Sequence, residues 1–154
     1  MDQKLDSVDI EILKQLQANA RITTKELATA VNLSSTPVFE RQRRLEKEGY
    51  IRGYSAVLDA NKLGRGFTVF CLVKLRQMSK EAAEDFVARI KDIPEVSECY
   101  NITGEFDYLL KIAAPSMPYY NEFIINVIGT IGSVGSVQSS FVMNEIKHTI
   151  GLPL

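Results

Sequence analysis

The sequence predicts an α+β protein in two parts, a helix-turn-helix unit followed by a ferredoxin-like β-α-β-β-α-β domain. Three observations predict it. Residues 6–49 carry capped helical segments divided by a tight turn. Residues 61–66 form a turn-rich joint. Beyond that joint the apolar pattern switches repeatedly between extended and helical spacing. The expected division is 1–60 for the first domain with its connecting strand, and 61–154 for the second.

From Asp6 to about Ala18, Val8, Ile10, Leu13 and Leu16 recur with Ile12 beside them, giving a helix with one buried face. Asp6 is its natural N-cap, and Asp9 suits the positive end of the helix dipole. The next helix begins at Thr23 or Thr24, where Thr23 and Glu26 have capping-box spacing, and it ends at Asn32 and Leu33. A third starts at Ser34 or Ser35, tolerates Pro37 in its first turn, and stops at Gly49. Residues 50–58 alternate loosely and read as extended.

In the second part, residues 67–75 form a strand-like run, and residues 80–90 have helical spacing at Ala83, Phe86, Val87 and Ile90. Residues 96–103 are extended, residues 104–107 turn, and residues 108–113 are extended again. A helix over 119–128 carries Phe123, Ile124, Val127 and Ile128 on one face, and residues 137–146 close with a strand. The glycine-rich run 129–136 exceeds what a simple connection needs, and the sequence offers no function for it.

With 154 residues, 45% apolar and 24% charged, the chain has the composition of an ordinary soluble globular protein. Its opening lacks the basic start and apolar centre of a secretory signal, and no run reaches the ~18 apolar residues of a membrane span. The expected location is cytoplasmic, without a membrane partner. Cys71 and Cys99 sit in apolar, strand-like runs and are expected as reduced core thiols.

The net charge of −1 argues against a uniformly basic nucleic-acid binder. The local field within a Debye length of ~8 Å matters more for phosphate contact, however. In a helix-turn-helix the second helix enters the major groove, with its first residues at base edges and its flanks on phosphates. Ser34, Ser35 and Thr36 occupy that leading position, with Glu40 one turn on. Arg41, Arg43 and Arg44 follow, and at ~100° per residue they fan too widely for all to face a core. The competing reading is an ion-paired, solvated face, with Glu40, Glu46 and Glu48 compensating the arginines. The capped helix and tight turn that precede this helix favour double-stranded DNA.

Ordered motifs then carry a family resemblance. Leu5-Asp6 with Asp9, Ile12 and Leu13, the segment Ala18-Asn19-Ala20-Arg21, the string Leu33-Ser34-Ser35-Thr36-Pro37-Val38, and Arg41, Arg43, Arg44, Leu45, Glu46, Gly49 and Ile51 at their spacing resemble the leucine-responsive and asparagine-responsive (Lrp/AsnC, feast/famine) regulators. The resemblance covers essentially the whole chain. It implies a winged or extended helix-turn-helix joined to a ferredoxin-like domain, and homodimers that associate further, often into octamers.

Thr103-Gly104-Glu105-Phe106-Asp107-Tyr108 taken alone is compatible with a plain hairpin turn. It looks like the family's glycine-x-x-aspartate loop, which implies a place at the contact between dimers and a part in binding an amino-acid effector. A zwitterion needs a carboxylate for its ammonium group, which Asp107 supplies, and donors for its carboxylate, which Thr103 and the backbone around Gly104 supply. The resemblance also puts Asn101 and Met117 near the pocket, and Ser139 and Ser140 there from a neighbouring subunit. Each is equally compatible with an ordinary strand or interface role.

The enzyme class is disfavoured. His148 is the single histidine, and no C-x-x-C, H-E-x-x-H or phosphate-loop motif occurs, so no cofactor or metal is expected. The remaining alternative, a metabolite-binding oligomer that ignores DNA, would be indifferent to loss of charge at Arg41, Arg43 and Arg44.

Overall fold

A computed structural model describes residues 4–154; Met1, Asp2 and Gln3, the first residues of the expected N-terminal domain, lie outside the described residues. The chain divides into two compact units, one running to Val57 and including Lys147–Leu154, the other Leu58–Ile146. The expected joint at 60/61 thus falls three residues earlier, and the last eight residues group with the first unit.

The N-terminal unit holds α1 (Ser7–Ala18), α2 (Thr24–Ala30) and α3 (Ser35–Lys47) around Ile12, Leu16, Leu27, Ala28, Val38 and Leu45. Capping boxes start the first two helices. Asp6 accepts from the Asp9 N–H while Asp9 accepts from that of Asp6, and Thr23 and Glu26 repeat the exchange. Between α2 and α3 the chain reverses at Asn32, which takes a left-handed φ of 54° and frees Leu33 to donate back to Ala28. Gly49 ends α3 at φ 79°, letting Ile51 donate to the Leu45 carbonyl and pack on the core.

Helices α1 and α3 are joined by charge as well as by packing. The Asp9 carboxylate, only 1% exposed, accepts Arg41 at 2.8 Å and lies 2.6 Å from the Arg44 guanidinium. Arg41 also reaches Asp6 at 2.7 Å. The compensation expected from Glu40, Glu46 and Glu48 comes instead from α1. Glu46 accepts from the Tyr54 hydroxyl at 2.7 Å, tying the post-helical segment to α3. No strand forms over residues 50–58: the alternation supplies the pattern, but none of the described residues supplies a neighbouring strand to pair with. The last eight residues return to α1, where Gln17 donates to the Leu152 carbonyl and accepts its N–H.

The C-terminal unit is a four-stranded antiparallel sheet with α4 (Lys80–Ile90) and α5 (Met117–Asn126) on one face. Its strands β1 (Phe67–Leu75), β2 (Val96–Asn101), β3 (Tyr108–Ala114) and β4 (Val134–Phe141) lie in the order β2-β3-β1-β4. This is the split β-α-β arrangement expected. Val69, Cys71, Val73, Leu110 and Ile112 point to the helices and meet Phe86, Ile90, Tyr120 and Phe123. The last strand runs 134–141 rather than 137–146, because β1, with which it pairs, begins its ladder opposite Phe141. The glycine-rich run supplies the approach to it: Ile131 and Val134 are buried, and a side chain at Gly135 would sit 3.0–3.2 Å from the backbone of Leu75 and Arg76. Cys71 is a free core thiol, whereas Cys99, also free, is exposed on edge strand β2.

Removing the Asp9 carboxylate takes away the buried anion that Arg41 and Arg44 share and the acceptor of the Asp6 N–H, leaving Arg41 its exposed contact with Asp6. Breaking a buried pair from one side costs about 3–5 kcal/mol; with Arg41 and Arg44 still 30% and 23% exposed, about 2–3 kcal/mol is expected for Asp9→Ala. In urea or thermal melts this lowers the helical transition by on the order of 10 °C.

The caps also set an acid limb. The Asp9 N–H, then the Arg41 guanidinium, hold the Asp6 carboxyl below its ordinary 3.8. The Thr23 N–H and hydroxyl hold Glu26 below its ordinary 4.5. A carboxyl depressed on folding contributes stability present above its unfolded value and lost as pH falls through its folded one. Melting temperature should therefore drop as pH falls below 4.5 and then 3.8, with Asp6→Asn dropping less than the parent chain.

Candidate nucleic-acid interface and ligand loop

Helix α3 has two faces fixed by its packing. Val38 and Leu45 are fully buried, and Arg41 turns beside them toward α1. On the opposite side, within an arc of about 100°, lie Thr36, Phe39, Glu40, Arg43 and Lys47, all exposed. Ser34 is the N-cap but makes no side-chain capping bond, so its hydroxyl and the leading backbone N–H groups of α3 face outward with those of Ser35 and Thr36. The helix start offers donors and the positive end of a dipole, an arrangement suited to phosphate.

This geometry separates the three arginines. Arg43 projects from the exposed arc. Arg41 and Arg44, partly exposed, direct their guanidinium groups to the Asp9 carboxylate, because their angular positions point along the α1 side of α3. These ion pairs join α3 to α1. A charge-led reading of the helix does not find Phe39; its place on the arc of Thr36, Glu40 and Arg43 is the signal that does.

In the C-terminal unit the Thr103–Asp107 loop is held from several sides. The Asp107 N–H donates to Val73 at 2.9 Å, and its carbonyl accepts both the Ile102 N–H and the Asn101 side-chain amide at 2.9 Å. The buried Asp107 carboxylate takes the Leu75 N–H at 2.7 Å through Oδ2, and Lys74 donates to the Glu105 carbonyl at 2.8 Å. Gly104 sits at φ 121° with open space where a Cβ would be, leaving its backbone accessible. Asp107 is thus first an anchor for β1, with one oxygen already engaged. A cleft of about 300 Å³ is lined by Val87, Ile90, Val96 and Tyr108 together with Lys91, Ser97, Glu98, Cys99 and Asn101, and so reaches the strand ends that flank the loop.

The other expected effector residues separate. Met117 opens α5 beyond the far end of β3, whose length of about 20 Å divides it from the loop within one chain. Ser139 pairs opposite core-facing Cys71 and shares a hydrogen bond with the Tyr120 hydroxyl on the helix side. Ser140 pairs opposite Phe70 and faces the uncovered side of the sheet. Neighbours in sequence, these two serines cannot line one face. Among the described residues no cluster suited to a metal ion occurs, and no helix is long and apolar enough to cross a membrane.

Comparison with known proteins places both units. Residues 5–52 match the winged helix-turn-helix DNA-binding family, and residues 68–152 match the Lrp/AsnC ligand binding domain. The chain is 37% identical to the DNA-binding transcriptional activator DecR of Escherichia coli (strain K12), over 97% of this chain and 99% of that protein. It is also 37% identical to the leucine-responsive regulatory protein of Salmonella typhimurium, covering 94% and 88% respectively. A transcriptional regulator of Neisseria meningitidis, solved as its L-Met complex, superposes with a TM-score of 0.93 at 40% identity, covering 97% of each chain. These relatives are transcriptional regulators rather than enzymes. With a DNA-binding helix-turn-helix and a ligand-binding ferredoxin-like domain both matched, the chain belongs to the Lrp/AsnC family of transcriptional regulators.

Proposed function

We propose that this regulator grips DNA through the exposed arc of α3 and adjusts its assembly or affinity to an amino acid bound at the Thr103–Asp107 loop. The exposed arc opposite the buried Val38 and Leu45 carries the DNA half of this reading. Ser34, Ser35 and Thr36 meet base edges and phosphates, Glu40 faces the groove, and Arg43 contacts phosphate or guanine. Arg41 and Arg44 hold the helix that presents them. Two such helices in a dimer address half-sites about 34 Å apart or a multiple of it.

For the effector half, the accessible Gly104 backbone and Thr103 supply donors for a carboxylate, and Asp107 supplies negative charge near an ammonium group. The adjoining apolar cleft accommodates an aliphatic side chain. The neisserial relative's L-Met complex favours methionine as the first amino acid to try. Met117, at the start of α5, and Ser140, on β4, enter such a site from neighbouring subunits, since their places in the fold keep them from the loop of their own chain, while Asn101 and Ser139 chiefly brace the strands. The uncovered sheet face, apolar at Phe70, Leu72 and Leu109, suits pairing of two subunits, with dimers assembling further toward an octamer. An amino acid shifts occupancy only through different affinities for the alternative assemblies. The protein then works in the cytoplasm, with no cofactor.

Arg43→Ala is expected to weaken binding to every duplex and to make the slope of log affinity against log salt shallower by about one unit. Electrophoretic shifts at two salt concentrations measure this, and unchanged affinity and slope would refute the placement of Arg43.

L-methionine at ~100 times its dissociation constant adds about 2.7 kcal/mol, a shift of several degrees in melting temperature. Asp107→Asn keeps an acceptor for the Leu75 N–H but removes the charge, so it should fold and lose the shift. A full shift in that variant would remove Asp107 from the site; a shift with another amino acid alone would reassign the ligand.

A further inference from the structure

We propose that Phe39 reads DNA sequence directly, by seating its ring against the 5-methyl groups of thymines in the major groove. The inference rests on the DNA-binding reading of α3 and adds a base-specific contact to it. Phe39 is 51% exposed, in the middle of a helix whose core positions are taken by Val38 and Leu45. It has no part in the cluster that fills the N-terminal unit. A large apolar side chain left half in water needs no partner when it stands alone on a surface. This one does not stand alone. It lies on the same arc as Thr36, Glu40 and Arg43, one turn from each of Thr36 and Arg43.

From Thr36 to Arg43 the arc rises about 10 Å, the height of roughly three base pairs. A side chain at its centre therefore meets base edges, with the polar residues on either side engaging neighbouring positions. The major-groove edges of the bases present hydrogen-bond donors and acceptors and one apolar feature, the thymine methyl. A phenyl ring has nothing to offer the donors and acceptors. Against a methyl it gains by excluding water from both surfaces. The ring next to Glu40 and Arg43 also gives these two a fixed register, so that the three together specify a short sequence rather than a uniform backbone grip.

The test starts with the full-length protein and selection from a pool of random double-stranded DNA, which yields the preferred duplex even when no target promoter has been identified. Each thymine of that duplex is then replaced by uracil, which removes only the methyl group. Binding of every duplex is compared for the parent, Phe39→Ala and Phe39→Leu. The expected result is a loss of about fourfold for the parent at one thymine per half-site, the value of one buried methyl. Phe39→Ala should bind the thymine and uracil duplexes equally at that position, and Phe39→Leu should retain part of the preference. Unchanged melting temperatures show that the variants are folded. A selected motif without thymine, or the same thymine-to-uracil loss in Phe39→Ala as in the parent, overturns the assignment of Phe39 while leaving DNA binding intact. Failure to enrich any duplex overturns the DNA reading of α3, and this inference with it.

Discussion

A carboxylate held out of water between two guanidinium groups is a demanding arrangement, and the N-terminal unit is organised around one. Asp9 accepts the N–H of Asp6, the guanidinium of Arg41 and the approach of Arg44, and so joins the first turn of α1 to the middle of α3. Because removing charges from water is expensive, the pair tolerates little misalignment, and its directional bonds fix rotation of α3 about its own axis as hydrophobic contact alone would not. The rotation decides which residues of α3 the protein shows to solvent. Thr36, Phe39, Glu40 and Arg43 face outward as a set because Arg41 and Arg44 are drawn the other way.

Much of the fold was legible in the sequence because it is written in local chemistry. Asp6 and Thr23 cap helices where their short side chains precede apolar periodicity, Ser34 marks the N-cap position of α3, and Gly49 ends α3 where a left-handed residue is required. The β-α-β-β-α-β order followed from changes of period. What escaped were features set by partners distant in sequence. Residues 50–58 alternate as a strand does, yet alternation says nothing about whether a neighbour exists. The true end of β4 depends on where β1 begins. Cys99 lies in an apolar run but on an edge strand, where only half the usual covering is supplied.

The same division applies to the candidate site residues. The leading serines and the glycine-x-x-aspartate loop are visible in the sequence as motifs. The different fates of Arg41, Arg43 and Arg44 were not, since a charge count cannot tell a guanidinium facing Asp9 from one facing solvent. Nor could strand period alone predict that Asp107 uses a carboxylate oxygen to hold the Leu75 N–H. That bond makes the loop a piece of the sheet's frame, so a displacement of the loop pushes against β1 rather than against a free hairpin. Stiffness of this kind favours transmission over absorption: a small displacement at the loop moves a strand.

The return of the last eight residues to α1, where Gln17 holds Leu152 through both its amide atoms, means that the two units are not simply in tandem. The C-terminal unit is an insert, entered from the N-terminal unit at one end and left toward it at the other. A single cut in the connecting segment near residue 58 therefore leaves a two-piece molecule whose N-terminal unit still keeps both its parts, one on each fragment. For the same reason anything fused after Leu154 is anchored close to α1 of the N-terminal unit. The polypeptide's end belongs, in three dimensions, to its beginning.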